Sequence, residues 1–113
     1  MAASAVVVAL AASPSALAAD GPRYDVPAGF TRCPHATAWN GFFKWASAQG
    51  ASCRYARDFM HAYAHDAENG TMPRHERGFR CSIHYWKNTD GDVYASRHRC
   101  VRRQTVVRFY GMV

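Results

Sequence analysis

The sequence lacks any continuous apolar stretch of the roughly 20 residues that a membrane span needs, because the Ala/Val-rich run over residues 1–12 breaks at Ser13-Pro14-Ser15. A retained membrane anchor is therefore disfavoured. Lysine is scarce, with two residues against twelve arginines, and acidic residues stop at Asp92 although the chain runs on to Val113. The cysteines form no close C-x₂₋₄-C pair, which argues against a structural zinc site. Neither H-E-x-x-H nor G-x-S-x-G occurs, so the zinc-protease helix and the serine nucleophile elbow are both missing. No nucleic-acid-binding motif accompanies the positive charge.

What is present points outward from the cell. After the apolar run, Ala16-Leu17-Ala18 supplies the small-x-small pattern of signal peptidase, predicting a signal peptide over 1–18 and a secreted, extracellular chain from Ala19. Residues 19–113 then form one domain, near the size where a hydrophobic core alone is marginal. Cys33, Cys53, Cys81 and Cys100 all lie downstream of the cleavage point. An even count in an oxidising compartment predicts two disulfides, with three connectivities open.

Residues 19–50 divide into an extended arm up to Pro34 and an aromatic segment, 35–48, whose spacing suits a helix or a short strand equally. Gly41 lies within that segment. Residues 51–113 hold the regular elements. Ser52 is placed to cap a helix over 53–68, with Asn69-Gly70 as its stop. Cys53, Ala56, Met60, Tyr63, Ala64 and Ala67 fall on one face at helical spacing, and Arg54, Asp58, His61 and His65 fall on the other. From Phe79 the period becomes two, and Asp90-Gly91 signals a hairpin. A two-residue loop there sets Cys81 opposite Cys100, puts Phe79, Ile83, Tyr85 and Tyr94 on the cysteines' face, and turns Arg80, Ser82, His84, Arg97 and Arg99 away. Counted outward from that loop, Cys81 and Cys100 form a hydrogen-bonded pair. A third strand returns over about 105–110. The expected fold is α+β: one main helix packed on a three-stranded antiparallel β-meander with two disulfides.

Ser52-Cys53 opening a helix, then Gly78-Phe79-Arg80-Cys81, Cys100 and the closing Val106-Val107-Arg108-Phe109 together resemble small secreted actinobacterial cysteine-containing domains of uncharacterised function. The resemblance covers roughly the last 65 residues. It implies a helix against a short antiparallel sheet and transfers no catalytic or binding residue.

Charge gives the functional lead. The segment from Val93 carries Arg97, Arg99, Arg102, Arg103 and Arg108 and no acid. Arginine suits bidentate contact with phosphate and carboxylate, so this basic patch, with Trp86 on the same outward face, predicts a ligand such as an anionic cell-envelope polymer, a lipid head group or an extracellular protein partner. Nucleic acid is the least suited of these partners for an exported chain. The competing reading of the patch is a solvated face that confers solubility. His61 and His65, four apart on the helix, are a weak metal pair on its wet side, and the expectation is no cofactor. An enzyme reading uses Glu76, His84 or His98 as acid and base with Arg80 as a phosphate clamp, in a small secreted hydrolase or nuclease. The hairpin register separates the two histidines onto opposite faces. A third reading is an enzyme inhibitor presenting the loop 70–77. The overall expectation is a non-catalytic binding module.

Overall fold

The computed structural model describes residues 21–113, and the expected signal peptide lies outside the described residues. Six strands and one helix follow in the order β1 (Thr31–Cys33), β2 (Phe43–Gln49), α1 (Cys53–Ala67), β3 (His75–Glu76), β4 (Phe79–Lys87), β5 (Val93–Arg102) and β6 (Thr105–Met112). They form one antiparallel sheet ordered β1-β2-β6-β5-β4-β3. The three-stranded expectation is thus wrong. The β4-β5-β6 meander exists, but β2 and β1 extend it beyond β6, and β3 adds an edge beside β4.

Strands β1 and β2 come from the two stretches without a clear period. Trp39, Asn40 and Gly41 take φ of +57°, +54° and +84°, a left-handed run that no helix accommodates. The aromatic segment therefore resolves as a strand, and β2 pairs with β6 from Phe43 opposite Gly111 to Gln49 opposite Val106. An irregularity between Lys44 and Ser47, with Trp45 at φ +56°, hides its alternation. The arm contributes β1, which pairs with β2 from Thr31 opposite Ala48 to Cys33 opposite Ala46.

The helix forms where its cap and spacing place it. Ser52 accepts a hydrogen bond from the Tyr55 N–H at 3.0 Å, and Ala56, Met60, Tyr63, Ala64 and Ala67 are buried together with Phe59. These side chains meet Phe43, Phe79, Val107 and Phe109 from the sheet. Face-to-edge aromatic contacts dominate the core, including Phe43 to Tyr63 at 5.6 Å and Phe59 to Phe79 at 4.8 Å between centroids. Among the described residues no helix is long and apolar enough to cross a membrane.

The connectivity left open by the sequence is Cys33–Cys53 and Cys81–Cys100. The first ties β1 to the opening turn of α1, and the second is a rung between β4 and β5. Cys81 does face Cys100, but the parity of hydrogen bonding is the reverse of that counted from a two-residue loop. The Cys81 N–H bonds the Arg74 carbonyl at 2.8 Å on the side away from β5. The cysteines thus form a non-hydrogen-bonded pair, with Cα atoms 4.0 Å apart, which is the closer of the two antiparallel spacings.

The loop explains the reversal. Lys87 pairs with Val93 and Trp86 with Ala95, leaving Tyr94 unpartnered in the ladder. The Asn88 side chain accepts from the N–H groups of Asp90 and Asp92, both at 2.9 Å, and Gly91 donates to the Asn88 carbonyl at 3.0 Å. Of Asp90 and Gly91, only Gly91 has positive φ. Tyr85 and Tyr94, expected on the inner face, are largely exposed.

Candidate functional site

Alternation sorts the β4 and β5 side chains onto two faces with different chemistry. The inner face, under α1, holds Phe79, Cys81, His98 and Cys100, all buried. His98 has both ring nitrogens satisfied, Nδ1 by the Tyr63 hydroxyl at 2.8 Å and Nε2 by the Ser96 hydroxyl at 2.7 Å. Its ring stacks on Phe109 at 5.0 Å. Burial pushes its pKa down to about 3, so His98 is a neutral core residue. The same burial raises the Tyr63 phenol.

Glu76 lies on the short edge strand β3, buried, with Oε1 lacking a hydrogen-bond partner among the described residues. Burial first, then the Asp66 carboxyl, raises its pKa to about 7, against smaller opposing effects of Arg77 and His65. The enzyme reading drew its acid and base from Glu76, His84 or His98, with Arg80 as a phosphate clamp. The structure divides them, because His98 is enclosed in the core while His84 and Arg80 are exposed, His84 pairing with Arg97 and Arg80 with Val101 in the ladder.

The metal and inhibitor readings fare differently. His61 and His65 are exposed on the helix back, and His65 Nδ1 lies 3.7 Å from the Asp66 carboxylate. No group of three or more metal-ligating side chains occurs among the described residues. The segment 70–77 ends within the sheet, since His75 pairs with Arg80 and Glu76 with Phe79. Arg77 and Gly78, at φ +51° and +81°, form the tight turn between β3 and β4, the backbone that a primed hairpin turn requires.

The five arginines of the basic patch do not form a single cluster. Arg97 and Arg99 project from the outer face, two residues apart along β5, a spacing of about 7 Å. Arg99 and Arg103 both border two shallow grooves, one shared with Arg80 and Ser82 and the other with Gln49 and Gln104. Arg103 occupies the turn before β6 at φ +56°. Arg102, exposed, borders the first of these grooves as well. Its guanidinium lies 4.6 Å from the Phe79 ring centroid and donates to the Arg77 carbonyl at 3.0 Å, so it seals an end of the core. Arg108 is buried: it donates to the Asp25 carbonyl at 2.7 Å and lies 6.0 Å from the Phe30 ring.

Arg108 is covered because residues 21–30 cross half of the outer face, which the sequence reading treated as open. Tyr24 stacks on Trp45 at 5.9 Å, its hydroxyl donates to the Ala46 carbonyl, and it accepts from the Cys33 N–H at 3.2 Å. Arg32 lies over the same ring at 4.1 Å. The only sequence signal for this cover was the pair of aromatics, Tyr24 and Phe30, in an otherwise polar arm. Trp86 remains half-buried at the border of cover and open face, with Arg97 at 5.6 Å from its ring.

The ion pairs among the described residues are Arg57 to Asp58 and His65 to Asp66. The outer-face arginines of β4, β5 and the following turn therefore have no carboxylate partner there. Two disulfides are the chemistry of an oxidising compartment outside the cytoplasm. In comparison with known proteins, the chain matches no family model, no curated protein and no solved structure.

Proposed function

We propose that the chain is a secreted, non-catalytic binding module that holds an anionic polymer of the cell envelope on the open half of its outer face. The observation that carries this reading is the set Arg80, Arg97 and Arg99 on the outer face of the β4–β5 hairpin, with Arg103 in the turn that follows it, without carboxylate partners among the described residues. Arginine forks match carboxylate and phosphate oxygens in pairs. Their repeat along a rigid, disulfide-tied hairpin suits a ligand with recurring negative charge. Arg102 and Arg108 serve the fold instead, which reduces the patch read from the sequence and adds Arg80 to it.

The signal-like N-terminus supports export, and the two disulfides accord with it. The test is direct binding of the purified mature chain to soluble polyphosphate and polyuronate, with anionic and neutral vesicles as the comparison. Affinity that falls steeply with added salt supports the reading. Capture by anionic vesicles alone would assign the face to lipid head groups instead.

A further inference from the structure

An aromatic row crosses the outer face from the covered to the open half. Tyr24 stacks on Trp45, Trp45 meets Tyr110 edge-on at 5.5 Å, and Tyr110 stacks on Trp86 at 6.1 Å with 21° between ring planes. The first three members have evident packing roles, since residues 21–30 lie over them or Tyr110 is itself buried. Trp86 differs. It closes the row at the wall of a cleft of about 570 Å³, between residues 21–25 and the hairpin. That volume lies within the range of small-ligand sites.

The cleft presents a particular mixture of groups. His84 meets the Trp86 ring edge-on at 4.6 Å, and Arg97 lies 5.6 Å from the ring centroid. Asp25 and Arg23 line the cleft too, Asp25 held through its main-chain carbonyl by Arg108 at 2.7 Å. An indole face suits the C–H face of a pyranose ring, whose hydroxyls are served by a carboxylate acceptor and an imidazole. A guanidinium beside it takes a carboxylate in bidentate fashion. The Asp25 carboxylate, which would repel a phosphodiester and a sugar carboxylate alike at close range, accepts readily from sugar hydroxyls.

We propose that this cleft is an acidic-sugar subsite, in which Trp86 stacks on the ring of a uronic acid residue and Arg97 binds its carboxylate. The proposal rests on the basic-face reading and names the monomer it would select. The remaining arginines, Arg80, Arg99 and Arg103, then follow neighbouring charges along the same chain.

Calorimetric titration of the mature protein with trigalacturonate, galacturonate monomer, a neutral galactose trisaccharide and tripolyphosphate tests it. Trigalacturonate is expected to bind best, with Trp86→Ala and Arg97→Ala each weakening it by about tenfold or more, the scale of a lost aromatic anchor or charge-assisted bond. Trp86→Phe should retain most of the affinity, which separates stacking from general damage to the hairpin. The trimer binding more tightly than the monomer supports a polymeric source, and equal affinity supports a free sugar acid. Trigalacturonate binding that is unchanged in Trp86→Ala overturns the subsite, as does tripolyphosphate binding with equal affinity and equal sensitivity to Trp86. If salt-dependent polyphosphate binding lost in Arg99→Glu/Arg103→Glu accompanies either result, the subsite falls while the basic-face reading stands. If no anion binds any variant, both fall.

Discussion

The hydroxyl of Tyr63 on α1 lies 2.8 Å from Nδ1 of His98 on β5, joining the helix to the centre of the sheet by a buried polar contact. Ser96 completes the chain at Nε2. Around it stand Phe43, Phe109 and Tyr63, with His98 ring centroids 5.0 to 5.2 Å away. Such a satisfied network fixes how the helix seats, because any other placement leaves polar atoms buried without partners. It also gives His98 a structural role in place of the acid or base that its residue type suggested.

Replacing Tyr63 with Phe keeps the ring contacts and leaves His98 Nδ1 unpartnered in the core. The expected cost is about 1–3 kcal/mol, that of one buried polar group left unsatisfied. Urea denaturation with an unchanged m-value would report it. A neutral result would mean that water or another group serves Nδ1.

Acid sensitivity follows from the same histidine. His98 titrates at about 3 in the fold against an ordinary value of 6.5, so below pH 6.5 the unfolded chain binds a proton that the folded chain does not. Stability from this group is full above pH 6.5 and is lost progressively toward pH 3. His98→Phe should flatten that part of the profile while lowering stability near neutral pH, where Tyr63 and Ser96 lose their partner. Chemical denaturation across pH 3 to 8 is the measurement.

Glu76 acts with the opposite sign. Its carboxyl titrates at about 7 in the fold against an ordinary 4.5, so rising pH from 4.5 to 7 deprotonates the unfolded chain first and lowers stability. Between pH 4.5 and 6.5 the two slopes oppose each other, and a flat wild-type profile there would hide both. Glu76→Gln should therefore gain on the order of 1–3 kcal/mol over wild type above pH 7 and nothing below pH 4.5. The same denaturation series reads both ends.

The outer-face cover depends on Arg108 and on Cys33–Cys53. Arg108→Ala removes the bond to the Asp25 carbonyl, and should release residues 21–30 to faster hydrogen exchange and proteolysis. Arg99→Ala, at an exposed position without an ion-pair partner among the described residues, should change stability by less than about 0.5 kcal/mol. Removing Cys33 and Cys53 together should cost about 3 kcal/mol in the chain-entropy model and loosen β1 with the same segment. Intact mass should show four thiols only after reduction, and free thiols in the native protein would contradict the cross-links.

The helix was readable because Ser52, the 3.6-residue spacing and Asn69-Gly70 agree with one another. The β4–β5 register was readable too, since a hairpin centred on Asp90-Gly91 sets Cys81 opposite Cys100. The turn was not, because Asn88 organises a longer loop that preserves the register while reversing the hydrogen-bond parity. β2 escaped because Trp45 at positive φ interrupts its alternation, and β3 because two residues carry no period. Arg108 looked like exposed charge, since composition cannot reveal that residues 21–30 cover it, whereas Arg102 is exposed as read and also lies over Phe79. The Arg97, Arg99 and Trp86 part of the face followed from parity alone.

The central claim is that the exposed arginines of the outer face bind an anionic polymer. Its most direct test is the affinity of the mature protein for polyuronate across a salt series, comparing wild type with the Arg80→Glu/Arg99→Glu/Arg103→Glu variant, which spares Arg102 and Arg108 and so spares the fold. The account predicts wild-type binding that weakens steeply as salt rises through about 0.1 M, where exposed charges are screened beyond roughly 10 Å, and no measurable binding by a variant whose melting transition is unchanged. Equal binding by both proteins, or wild-type binding indifferent to salt, would show that these arginines are only a solvated face.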